Sequence, residues 1–118
     1  MHKFEQLKIW QKAMAIVESC YKVSENFPKE EKFNLTSQIR RSATSIPSNI
    51  AEGAGRNTNG EFRQFLGIAN GSSFELLTQL YLSKKLNLIK EEKVNPIINK
   101  VVAITKMNYS LQKSLKPS

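Results

Sequence analysis

One histidine, one cysteine, ten glutamates and no aspartate make up the acid–base inventory of this 118-residue chain. His2 stands on a terminus expected to be mobile, so neither a Cys-His pair nor a Ser-His-Asp set can be assembled around it. One Cys and one His also fall short of a tetrahedral zinc set. A di-iron centre in a helical bundle needs inward glutamates and Glu-x-x-His pairs, and no Glu-x-x-His occurs. Glu18, Glu52 and Glu75 fall mid-helix and are read as ion-paired or solvent-facing carboxylates. Gly53-Ala-Gly55-Arg-Asn-Thr-Asn-Gly60 has the glycine content of a phosphate loop. It follows a helix instead of a strand and lacks Gly-Lys-Ser/Thr, so it reads as a turn. No catalytic residue, metal ligand or cofactor is expected.

The basic residues are the remaining chemistry. Fourteen lysines and four arginines against ten glutamates give a net charge of +8 and a pI of about 9.8. Arg40, Arg41 and Arg56 share one expected helix, and Arg63 begins the next. The planar guanidinium suits bidentate phosphate contact. No acid follows Glu92, so Lys93, Lys100, Lys106, Lys113 and Lys116 leave the C-terminal end basic. Arg40, Arg41, Arg56, Arg63, Lys100, Lys106 and Lys113 are therefore the candidate nucleic-acid-binding residues. Contacts of this kind are salt-sensitive and weakly sequence-specific. The same charge equally suits a self-repelling, soluble surface. Glu52 lies four residues before Arg56, which offers an ion pair as the alternative use of that arginine. Trp10, Tyr21 and Tyr81 carry rings that stack on bases, but their helical phases place them with the core.

A second constellation is polar. At about 100° per residue, Gln38, Arg41, Ser45, Asn49, Glu52 and Arg56 fall on one side of a helix at spacings of three or four. A plain solvated face is expected to carry long Lys and Glu side chains. Gln, Ser and Asn among the charges suggest specific hydrogen bonding at a contact surface, and Gln38, Ser45, Asn49 and Glu52 are candidates for a subunit interface.

These residues need four helices to position them. The length suits one domain spanning 1–118, and 40% apolar with 24% charged residues is a globular composition. The first helix is expected over about 5–26, with Leu7, Trp10, Met14, Val17 and Tyr21 as its stripe. Ile9, Ile16, Cys20 and Val23 adjoin that stripe. Phe27-Pro28 ends the helix. The second is expected over about 30–56, with Leu35, Ile39, Ala43, Ile46 and Ile50 inward, and it runs through Pro47 with a kink. Thr58 and Glu61 have capping-box spacing and open a third helix over about 58–85. Its stripe is Phe62, Phe65, Leu66, Ala69, Ser73, Leu76, Leu77 and Leu80. Gly67 and Gly71 mark a close approach of another backbone. The fourth is expected over about 90–115, through Val94, Ile97, Ile98, Val101, Ile104, Leu111 and Leu115. Short connections make the fold all-α, an up-down-up-down antiparallel four-helix bundle. The surplus apolar residues Ile9, Ile16, Val23, Ile68, Phe74 and Leu82 serve either self-association or an irregular core. Cys20 is expected buried and inert. With no signal core and no apolar run near ~20 residues, a cytoplasmic protein without membrane contact is the expectation.

Five segments together carry a family resemblance: Phe4-x-x-Leu7-x-x-Trp10-x-x-Ala13; Phe27-Pro28-x-Glu30-Glu31; Leu35-Thr36-x-Gln38-Ile39-Arg40-Arg41; Ser45-Ile46-Pro47-Ser48-Asn49-Ile50-Ala51-Glu52-Gly53; and Phe65-Leu66-x-Ile68-Ala69-x-Gly71-Ser72. Over about residues 4–90 the chain closely resembles the bacterial "four helix bundle protein" family, encoded within intervening sequences of large-subunit (23S) ribosomal RNA genes. The resemblance implies a homopentamer of bundles forming a basic barrel around a channel, and it implies no enzymatic activity. A related branch is the accessory protein of diversity-generating retroelements, which binds a reverse transcriptase and nucleic acid. Asn70 stands where many relatives carry a basic residue before Gly-Ser, which weakens a nucleic-acid role for the third helix. The expected function is a non-catalytic oligomeric bundle binding RNA through a basic surface. The alternative is a structural or protein-recruiting scaffold without direct nucleic-acid binding.

Overall fold

A computed structural model describes residues 2–117, and among these there are helices and no strand. Four helices follow in order: α1 Lys8–Ser24, α2 Leu35–Ala54, α3 Asn59–Lys85 and α4 Glu91–Ser114. Short 3₁₀ turns at Phe4–Gln6 and Lys29–Glu31 precede α1 and α2. The helices expected from Glu5 and Glu30 thus begin later. Leu7 is extended ahead of α1, and Asn34 (φ −130, ψ −106) breaks the chain between the second 3₁₀ turn and α2.

The boundaries follow local chemistry. Thr58 caps α3: its hydroxyl oxygen accepts from the Glu61 amide at 3.1 Å and donates to the Glu61 carboxylate at 3.1 Å. At the other end of α3, Asn87 takes a left-handed φ of 60. The amides of Asn87 and Leu88 then reach back to the Lys84 and Ser83 carbonyls at 3.1 and 2.9 Å. This closes orphan carbonyls of the last turn, with Asn in the position that usually falls to Gly. Glu91 and Glu92 occupy the positive first turn of α4. Pro47 lies buried inside a continuous α2, although a helix-interior proline removes a backbone donor at about 3 kcal/mol. Burial of its neighbours offsets that: Ile39, Ile46 and Ile50 are essentially inaccessible, each worth roughly 1.5–3 kcal/mol.

The longest seam joins α2 to α3. α1 packs on α2, α4 packs on α3, and α1 also touches α4, which closes a ring of four around one contiguous core. Ser42 reaches Glu75 and Ser45 reaches Ser72 across the α2–α3 seam. Asn108 reaches the Leu66 carbonyl across α3–α4. The rod measures 47 × 23 × 20 Å.

Two expectations about the core are corrected. On α1 the inward stripe is Ile9, Ala13, Ile16, Cys20 and Ser24, while Met14 and Tyr21 are exposed and Leu7, Trp10 and Val17 are half-buried. Small side chains at Ala13, Cys20 and Ser24 let α1 approach closely, which the bulkier strip does not. The surplus apolar residues accordingly divide. Ile9, Ile16 and Val23 pack with the core, whereas Ile68, Phe74 and Leu82 are exposed on α3. Within the chain, the tight approach falls at Gly53 and not at Gly67 or Gly71. A β-carbon on Gly53 would lie 2.7 Å from the Phe65 β-carbon and 2.9 Å from the Phe62 ring, whereas one on Gly67 or Gly71 meets nothing within 4 Å.

Candidate functional site

The polar ladder of α2 runs along the rim of its seam with α3. Gln38 donates to the Asn34 side-chain oxygen at 3.0 Å. Asn49 donates to the Ser45 carbonyl at 2.8 Å and to its hydroxyl at 3.0 Å, and the Ser45 and Ser72 hydroxyls lie 2.9 Å apart. Ser42 adds a 2.8 Å bond to the Glu75 carboxylate. Much of the ladder's hydrogen-bonding capacity is therefore used within the chain. Its polar character follows from a rim position that is neither core nor open surface.

Three of the four arginines are also engaged. Arg40 donates to the Ser24 hydroxyl at 2.9 Å and the Tyr21 carbonyl at 3.4 Å, with its guanidinium 4.5 Å from the Tyr21 ring centroid. It pins the end of α1 to α2. Arg56 pairs with Glu52 at 3.2 Å and lies over the Phe65 ring at 4.7 Å. Both partners of that pair are substantially exposed, so the ion pair adds little stability. Arg63 donates to the Leu115 carbonyl at 2.9 Å and tethers the end of α4.

Arg41 differs. It is exposed and forms no hydrogen bond or ion pair among the described residues. Lys100, Lys106 and Lys113 are likewise exposed along α4. They do not form one patch. At about 100° per residue, Lys106 and Lys113 share one line of the helix, and Lys100 lies roughly 120° away, toward α1. There Lys100 faces a groove with Lys12, Ala15 and Ile16. Only two ion pairs, Arg56–Glu52 and Lys84–Glu91, occur among the described residues. Most of the +8 charge therefore faces solvent unpaired.

A groove of about 670 Å³ runs along the outer face of α2, lined by Lys32, Phe33, Arg40, Arg41, Tyr21 and the hydroxyl residues Thr36, Ser37, Thr44, Ser45 and Ser48. No carboxylate lines it. Phe33 is 87% exposed, and the Lys32 ammonium lies 5.4 Å from its ring centroid. Sequence reasoning missed Phe33 and Lys32. The signal was there in an aromatic residue just before the helix start, outside every apolar stripe and eight residues from Arg41.

A second surface is the outward side of α3, where Ile68, Phe74, Tyr81 and Leu82 stand exposed beside the open backbone of Gly67 and Gly71. Asn70 turns the other way. It is buried, with its amide nitrogen 3.5 Å from the Thr105 carbonyl. His2 is docked, since its amide donates to the Ala54 carbonyl at 2.9 Å and its ring lies 5.0 Å from that of Phe62. The expectation of a mobile terminus fails there because the His2 amide satisfies an orphan carbonyl of α2. Cys20 is buried, and burial pushes its thiol from 9.0 up to about 12. Among the described residues, no group of three or more His, Cys, Asp or Glu side chains gathers to hold a metal, and no helix is long and apolar enough to cross a membrane.

Comparison with known proteins places this geometry. The family described as 23S rRNA-intervening sequence protein matches residues 5–110. A solved structure from Bacteroides thetaiotaomicron, described as a protein with unknown function from the S23 ribosomal protein family, is similar at a TM-score of 0.81 and 28% identity. The similarity covers 90% of this chain and 99% of that one. No curated protein matches the chain.

Proposed function

The chain belongs to the 23S rRNA-intervening sequence protein family, and from that membership we propose a non-catalytic, self-associating bundle that binds RNA through its basic surface. The supporting observation is the unpaired charge, above all Arg41 in a groove without carboxylates. Phosphate neutralisation by such residues releases counterions and needs no base recognition. The up-down-up-down reading of the bundle is supported by the cross-helix bonds, whose positions fall on α3 as they rise on α2. Self-association is supported by the outward α3 face. Isolated exposed apolar residues are ordinary, but four beside two open glycines favour packing against another helix. The number five rests on the family resemblance.

The same face favours the second reading, a scaffold that gathers protein partners, as a reverse-transcriptase accessory protein does, and leaves nucleic acid alone. One experiment separates the two: binding of purified protein to a structured RNA across a salt series. Under the RNA reading, log affinity falls linearly with log salt, and Arg41→Ala lowers the slope by about one. Absence of binding at low salt, with light scattering still reporting a multiple of the 13.4 kDa chain, would overturn the RNA reading in favour of the scaffold.

A further inference from the structure

We propose that the α2 groove takes a single-stranded segment of RNA, with an unpaired base stacked on Phe33 and its phosphates against Arg41 and Lys32. The proposal rests on the RNA reading above and goes beyond it, since unspecific charge contacts alone do not distinguish a single strand from a duplex.

Three observations carry it. First, Phe33 is the most exposed of the large hydrophobic residues, at 87%. An aromatic ring left in water is less favourable than a buried one, and a stacking base covers its face. Second, the cations sit beside the ring. Lys32 is adjacent, Arg41 has no hydrogen-bond or ion-pair partner among the described residues, and Arg40 is held over Tyr21 on the facing wall. Alternating positive charge and aromatic faces is the pattern of single-strand grooves, where backbone and bases are gripped together. Third, the shape fits. From Thr36 to Ser48 the floor runs roughly 18 Å at 1.5 Å per residue, room for about five stacked nucleotides at 3.4 Å each. In duplex RNA the base faces are stacked on one another and closed to an outside ring.

Three of the five hydroxyl residues lining the groove have their own donors occupied. Ser37, Thr44 and Ser48 donate to the Asn34, Arg40 and Thr44 carbonyls at 3.0, 2.6 and 2.9 Å. They present lone pairs, which accept from ribose 2′-hydroxyls and base amino groups. The groove therefore offers a strand charge, ring and acceptor in turn.

The test uses the full chain and two fluorescently labelled probes: an unstructured RNA octamer, and a closed RNA hairpin of the same base composition. Affinities are measured by anisotropy at one low salt concentration. The wild type should prefer the octamer. Phe33→Ala should weaken octamer binding by about 5- to 100-fold while leaving hairpin binding within about 2-fold. Phe33→Trp, which restores a stacking face, should recover octamer binding. Because Phe33 is so exposed, circular dichroism should report unchanged helicity in both variants. Octamer binding untouched by Phe33→Ala would overturn the proposal, and so would a preference for the hairpin. If both probes bind and only Arg41→Ala weakens them, the basic-surface reading stands and this inference falls. If neither binds, both fall together.

Discussion

Gly53→Ala sets two physical effects against each other. Alanine is the better helix former by up to about 1 kcal/mol, so helix propensity alone predicts stabilisation. The new methyl group would, however, lie 2.7 Å from the Phe65 β-carbon, 2.9 Å from the Phe62 ring and 3.2 Å from the Phe62 carbonyl oxygen. Two of these three atoms are fixed to the α3 backbone and cannot swing away, so the α2–α3 axes must separate. Overpacking of this kind costs about 1–3 kcal/mol, and rigid neighbours put it in the upper part of that range. The net expectation is a loss of about 1–2 kcal/mol, or roughly 4–8 °C in melting temperature for a chain of this size. Gly67→Ala and Gly71→Ala meet open space and should each gain about 0.5–1 kcal/mol in the isolated chain. Urea and thermal unfolding followed by circular dichroism, at one protein concentration, measure all three. A Gly53→Ala midpoint at or above wild type would refute the argument. A Gly67→Ala loss at concentrations where light scattering reports single chains would refute the other half.

Two further predictions concern single side chains. The Cys20 thiol should resist alkylation at pH 8 in the native protein and react once the chain is unfolded. Because the native thiol keeps its proton up to about 12 against 9.0 ordinarily, its contribution is complete below pH 9 and fades as pH rises through 12. Cys20→Ala should therefore lose less stability than wild type across that alkaline window, as read by urea midpoints at stepped pH. Arg63→Ala should fray the end of α4 by removing the bond to the Leu115 carbonyl, costing about 1 kcal/mol. Faster amide exchange over residues 111–115, with the rest of α4 unchanged, is the expected sign, and uniform exchange across the helix would contradict it.

The sequence was most legible where one residue type admits one environment. The phase of Ile39, Ile46 and Ile50 survives Pro47, and the helix does too. Thr58 and Glu61 announced a cap that forms as spaced. It was least legible where two faces were similarly apolar. On α1 both strips carry large residues, and the choice fell to Ala13, Cys20 and Ser24 because small residues permit close packing, which periodicity does not register. The arginines illustrate a different limit. Arg40, Arg41, Arg56 and Arg63 are alike in sequence, but three find acceptors or rings that only the folded chain brings near. Phe33 was passed over because it belongs to no helical stripe, and that isolation is what leaves it beside Arg41 in the groove.

The closed ring of helices also has a kinetic side. Three of its seams join neighbours in the chain, as the Arg40–Ser24 bond does across 16 residues. The fourth joins α1 to α4, where Ile16 and Ile104 line one groove from roughly 90 residues apart. Loop-closure entropy grows only with the logarithm of separation, so this last seam costs about 1.5 kcal/mol more to close than a local one. A chain whose contacts are otherwise so local belongs among the fast-folding topologies. On that argument the α2–α3 seam, the most extensive of the four, is expected to form early and the α1–α4 seam late.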